Sequence, residues 1–135
     1  MTRMTARKTL TAALAALAIG TASAPAMAGS ISISLQPTTA EQEQAMRMGL
    51  GFYALANGFK NGGIKQNGFG NAAGLLQNGS GNLGVVHQEG TGHVGTLEQN
   101  GNGNACGLFQ FGKNTEGHVQ QNGNGGTCAN FQFGW

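Results

Sequence analysis

The chain has 135 residues, 25 of them glycine, and five Glu but no Asp, with a formal charge of +2. Arg3, Arg7 and Lys8 supply three of the seven basic residues; beyond them Arg47, Lys60, Lys65 and Lys113 stand against Glu41, Glu43, Glu89, Glu98 and Glu116, about −1. That balance excludes a basic surface for nucleic acid or anionic lipid, and abundant Gly, Asn and Gln leave two broad classes, a disordered tract or a repeat whose turns need glycine.

In chain order, the first segment reads as an export signal. A basic start precedes the uncharged apolar run Leu10 to Ile19, and Ala26-Met27-Ala28 has the small-x-small pattern of a cleavage site. We expect residues 1–28 to be a signal peptide, cleaved after Ala28, and the remaining chain to be exported. The run is too short to span a membrane and no later segment qualifies, so no membrane span is expected.

Residues 29–58 form a separate N-terminal segment. Ile31 to Leu35 alternates like a strand and Pro37 ends it. Thr38 with Glu41 reads as a capping box opening a helix over 39–56, with Ala45, Met48, Phe52 and Leu55 on one face and Asn57-Gly58 as the stop. Gly49 and Gly51 weaken it. Three roles stay open for the segment: a cap over the first coil, a secretion address, or a flexible tether.

From residue 59 to 135 the sequence counts in elevens. Gln66, Gln77, Gln88, Gln99, Gln110, Gln121 and Gln132 recur without a slip, each followed two residues later by Gly68, Gly79, Gly90, Gly101, Gly112, Gly123 or Gly134. Gly returns four residues after the Gln, with Asn114 the one departure. Within each unit the period is two, a strand signature. Stepping back from Gln meets the aliphatics Ile64, Leu75, Val86, Leu97, Leu108 and Val119, then a small residue, then Asn71, Asn82, His93, Asn104 or Thr115. Seven strands are expected, near 60–66, 71–77, 82–88, 93–99, 104–110, 115–121 and 126–132, with glycines at the bends.

Asn-Gly turns also suit an antiparallel meander. The four-residue links and the recurring amides favour the other arrangement, because identical Gln and Asn side chains gain most when stacked in register along a parallel sheet. The fold class expected is therefore all-β: a two-sheet parallel β-solenoid with a 22-residue coil, two strands per coil, and a short N-terminal strand and helix. Phe109 then stacks on Phe131 and Phe111 on Phe133, and Cys106 and Cys128 lie one coil apart on the inward face. The solenoid's last strand is expected to leave an unpaired edge, a template for another chain.

Single residues add less. Strand spacing of ~4.8 Å allows Cys106 and Cys128 to be bridged in an oxidising compartment or to remain two buried thiols, and both readings stay open. His87, His93 and His118 do not converge, so no metal is expected, nor any cofactor. Phe109, Phe131, Phe133 and Trp135 form an outward aromatic stripe, suited to lateral fibre contact or to packing under the N-terminal segment, with the binding of a sugar or other ligand, as in a capped soluble surface-binding solenoid, as the alternative. No paired carboxylates or nucleophile constellation is present, so no enzyme is expected; Ser80 is the only Ser in the repeats. A calcium-binding roll needs repeated Asp, and an ice-binding solenoid needs regular Thr arrays.

The repeat resembles the curlin repeats of curli fibre subunits, whose pattern is S-x5-Q-x-G-x-G-N-x-A-x3-Q. Gln66, Gly68, Gly70, Asn71, Ala73 and Gln77 match its second part; Gln88 to Gln99 match with His93 and Gly95 replacing Asn and Ala; Gln110 to Gln121 keep both Gln and Gly112. The resemblance covers about residues 60–135, and the pattern's opening Ser is absent. It implies self-assembly into extracellular amyloid, a role in biofilm matrix and adhesion, a curli-type nucleator and an outer-membrane secretion pore as partners, and either a major or a minor subunit.

Overall fold

The computed structural model describes residues 29–135, and the expected signal peptide at 1–28 lies outside the described residues. The elements run β1 (Ser30–Leu35), α1 (Ala40–Ala56), β2 (Gly62–Asn67), β3 (Ala72–Asn78), β4 (Leu83–Thr91), β5 (Val94–Asn100), β6 (Ala105–Lys113), β7 (Glu116–Asn122) and β8 (Thr127–Gly134). Strands β2 to β8 form the parallel solenoid. Sheet A has the order β1-β8-β6-β4-β2, and sheet B has β3-β5-β7. Every parallel pair is in register at a spacing of 22 residues, so Gln66, Gln88, Gln110 and Gln132 share one column and Gln77, Gln99 and Gln121 another.

Glycine makes this close stacking feasible. At the bend after β5, Gly101 has φ +122°, and a methyl group there would lie 1.8 Å from the carbonyl oxygen of Gly123 in the next coil. Only a residue without Cβ fits both the dihedral and the coil above. Asn114 replaces glycine at φ 53°, a left-handed geometry that Asn tolerates. Gly134, expected as a turn glycine, instead ends β8 without positive φ; its Cα faces the Lys113 carbonyl, where a Cβ would come within 1.9 Å.

Two apolar layers result. Inside the coils, Val86, Leu97, Cys106 and Leu108 are fully buried, with Leu75 and Val119 packed beside them. Ile64, expected in this core, is 39% exposed because β2 is the edge strand and no coil covers it. Outside sheet A, Val85, Ala105 and Phe109 meet Leu50 and Ala54 of α1.

The N-terminal segment departs from expectation in three ways. Thr39, rather than Thr38, caps α1: its hydroxyl accepts from the Gln42 amide, and the Gln42 side chain accepts in turn from Thr38. The helix buries Leu50 and Ala54, with Met46 and Tyr53 alongside, whereas the expected face turns outward with Met48, Phe52 and Leu55 at 54%, 65% and 74% exposure. Both sides of the helix carry apolar residues, and the anchors decide between them. Arg47 donates to the carbonyls of Gly125 and Gly126 and pairs with Glu43. Finally, β1 pairs antiparallel with β8, Ser30 opposite Gly134 through Leu35 opposite Ala129. The expected unpaired edge of the last sheet-A strand is thus covered, and the segment caps the last coil instead of the first.

Candidate functional site: the amide ladders and the coil ends

The recurring residues sit on the inward face of the strands, where period-two alternation and the 22-residue coil bring like over like. In sheet A, Gln66 Nε2 donates to Gln88 Oε1 at 2.7 Å, Gln88 to Gln110 at 2.8 Å, and Gln110 to Gln132 at 2.8 Å. In sheet B, Gln77 donates to Gln99 at 2.9 Å and Gln99 to Gln121 at 3.0 Å. A second N–H of the same amides crosses the interior to the opposite sheet, Gln88 to the Ala72 carbonyl, Gln99 to that of Leu83 and Gln110 to that of Val94. Each interior Gln therefore ties its own sheet along the axis and the two sheets across it. Gln88, Gln99 and Gln110 are fully buried, a placement tolerable only because these amides are satisfied.

The Asn positions act differently from the expected amide-on-amide stack. Asn82 Nδ2 donates to the Gly101 carbonyl and its Oδ1 accepts from the Asn104 backbone amide, at 2.9 and 3.0 Å. Asn104 repeats this with Gly123 and Gly126, and Asn71 with Gly90 and His93. These side chains clamp the backbone of the next bend. His93 and Thr115 stand in the same column as Asn71, the ladder position that the repeat gives them. His93 is buried, with Nδ1 2.8 Å from Thr115 Oγ1 and Nε2 3.2 Å from the Glu89 carbonyl. With Nε2–H donating to that carbonyl, Nδ1 accepts from Thr115, and the ring does the work of an Asn.

Cys106 and Cys128 are joined by a disulfide across a Cα separation of 4.6 Å. The aromatic stripe is split. Phe109 stacks on Phe131 at 4.8 Å between centroids and disappears beneath α1, edge-on to Tyr53. Phe111, omitted from the stripe as expected, stacks on Phe133 at 5.3 Å, and Phe133 and Trp135 are 40% and 47% exposed. Tyr53 also bonds His87, and burial, with the charge of Glu89, raises its phenol above 10.0.

Along both Gln ladders the donors point the same way. Among the described residues, nothing donates to Oε1 of Gln66 or Gln77, and nothing accepts from Nε2 of Gln121 or Gln132. One end of the solenoid thus presents acceptors and the other donors. The strand edges match: β2 and β3 are open at the first end, and β7 at the second, where β1 covers only β8. Among the described residues no helix is long and apolar enough to cross a membrane. In comparisons with known proteins, no family model matches the chain, and neither does a curated protein or a solved structure.

Proposed function

We propose that this protein is a secreted structural subunit that self-assembles end to end into curli-like extracellular amyloid fibres, serving biofilm matrix and adhesion, and that it is not an enzyme. The observation that carries this reading is the pair of Gln ladders, unengaged at both ends with opposite hydrogen-bonding character. A second copy placed head to tail satisfies both sets at once. An open strand edge is a template for pairing, and in a solenoid the end coils have the fewest neighbours. Stacking converts each end into interior. The repeat's resemblance to curlin sequences agrees, and implies the nucleator and secretion pore as partners.

A second reading has one observation in its favour. The covering of β8 by β1 suits a capped, soluble solenoid that grips a carbohydrate or host protein through its aromatic stripe. Withdrawal of Phe109 under α1 weakens it. The two readings part on incubation of purified protein at rising concentrations. Self-assembly is expected to give a lag shortened by preformed seeds and sedimentable fibres. Protein that stays monomeric at every concentration, seeded or not, belongs to the capped module.

A further inference from the structure

The seven solenoid strands alternate between the sheets, four in sheet A and three in sheet B. Sheet A reaches β8, where β1 takes its edge, while sheet B stops half a coil earlier on β7. The half-coil position beside β8 is a groove of about 380 Å3, lined among others by Gln120 and Gln121 of β7, Cys128 and Asn130 of β8, and Ser34 of β1. Its floor is the open edge of a parallel sheet, so its natural occupant is a strand.

A second copy can meet this end in two orientations. In the orientation of the first, incoming β2 stacks on β8, and the half-coil position on β7 stays empty at every junction. Turned by half a revolution about the solenoid axis, incoming β2 enters the groove on β7 and incoming β3 stacks on β8. Both sheets then continue without a gap, because an odd number of half-coils exchanges the roles of the two sheets at each junction. Resting on the self-assembly reading above, we propose that successive copies join with this half-turn, incoming β3 taking the edge of β8 from β1.

Side chains at the junction agree. The half-turn lays Gln66 of the incoming copy over Gln121 and Gln77 over Gln132, acceptors onto donors, so both ladders run on. It brings Leu76, 59% exposed, onto Phe131, whereas the unrotated copy sets Lys65 there. The last bend has room for the incoming one: a methyl group at Gly123 would meet nothing within 4 Å, against 1.8 Å at Gly101 inside the stack. β1 is a poor substitute for β3. It sets Ser32 opposite Gln132, so the amide ladder stops with it, and its Ser30, Ser32 and Ser34 are exposed. β1 therefore guards the growing end until a strand able to extend the ladder replaces it.

Paired cysteines on outward positions distinguish the orientations. In assembled fibres, Lys65→Cys with Gln120→Cys is expected to oxidise into covalent multimers on a non-reducing denaturing gel, and Lys65→Cys with Phe131→Cys is not. Multimers from the second pair alone overturn the half-turn and leave self-assembly standing; fibres that cross-link through neither pair also overturn it. Absence of fibres in the wild type overturns the self-assembly reading itself. Where the variants fail to assemble, imaging of wild-type filaments decides: seven half-coils at half the ~4.8 Å strand spacing give an axial rise of ~17 Å per copy, and an unrotated junction with its empty position ~19 Å. For displacement, Ser34→Cys with Asn130→Cys joins side chains now 2.6 Å apart. Elongation is expected to be lost in the bridged form and kept in each single variant; growth of the bridged form at the wild-type rate overturns the guard role of β1.

Discussion

Replacing Gln110 by Ala probes the ladder where it is most deeply enclosed. Gln110 is fully buried, accepts from Gln88, and donates to Gln132 and to the Val94 carbonyl. Its Nε2 also reaches the Thr115 carbonyl at 3.3 Å, sharing an N–H with the other acceptors; the three shorter bonds alone, at about 0.5–1.5 kcal/mol each, account for roughly 3 kcal/mol. The partners left behind are enclosed, and one unsatisfied group adds about 1–3 kcal/mol. The sum, on the order of 4–6 kcal/mol, rivals the whole stability of a small domain, about 5–15 kcal/mol. Gln66→Ala is the matched control: this side chain is exposed and makes a single ladder bond, for a loss of about 1 kcal/mol or less. Urea unfolding followed by far-UV circular dichroism, in dilute solution where sedimentation shows one species, measures both. With a slope of roughly 2 kcal/mol per molar urea, the midpoint should fall by about 2–3 M for Gln110→Ala and by about 0.5 M or less for Gln66→Ala. Equal shifts at the two positions, or a Gln110→Ala loss below about 1 kcal/mol, would refute the claim that the interior ladder holds the coils together.

The bends offer a second contrast. Gly101→Ala drives a methyl into the Gly123 carbonyl and should abolish folding, whereas Gly123→Ala has open space above it and should fold, with only the strain of about 1–3 kcal/mol for its positive φ; circular dichroism of the two variants checks this. Fibre elongation by Gly123→Ala should be lost, since the next coil has to pass there, and seeded growth rates read it. Tyr53 is the chain's only Tyr, so its ionisation is visible directly by ultraviolet absorbance. Its folded pKa is raised above 10.0 by burial first and Glu89 second, so the stabilisation it gives is complete below pH 10 and declines as pH rises through the folded value. Tyr53→Phe should remove that part of the alkaline decline, and a Tyr53 midpoint at or below pH 10 contradicts the burial. Replacing Cys106 and Cys128 together by Ala opens a 22-residue loop and should cost about 2–4 kcal/mol, seen as a lower thermal midpoint in a monomeric sample.

The solenoid was legible because its physics is local and repeated. Each coil needs a Gln, a small residue and an aliphatic at the same inward positions, so Gln66 to Gln132 and Leu75 to Val119 announce both the strands and their stacking. Cys106 and Cys128 declared their proximity, though not their bond. What failed to read depends on contacts distant in sequence. The strand at Ile31 to Leu35 was visible, but its antiparallel partner lies about a hundred residues on, and no local pattern names β8. Helix α1 has apolar residues on two sides. The face it buries is chosen by the Phe109 and Val85 surface and by the reach of Arg47 to Gly125, none of which lies near it in sequence. The Asn positions differ for another reason: Asn82 lies at the bend before β4, where the Gly101 carbonyl and the Asn104 amide are in reach and its side chain satisfies them, whereas Asn100, at the end of β5, does bond Asn122 amide to amide.

End-to-end stacking of coils into a continuous cross-β fibre is tested most directly by X-ray fibre diffraction from aligned assemblies of the purified protein. The account calls for a meridional reflection near ~4.8 Å from strands perpendicular to the fibre axis and an equatorial one near ~10 Å from the two packed sheets. Assemblies without the ~4.8 Å meridional arc would contradict it, as would protein that remains a folded monomer and leaves nothing to align.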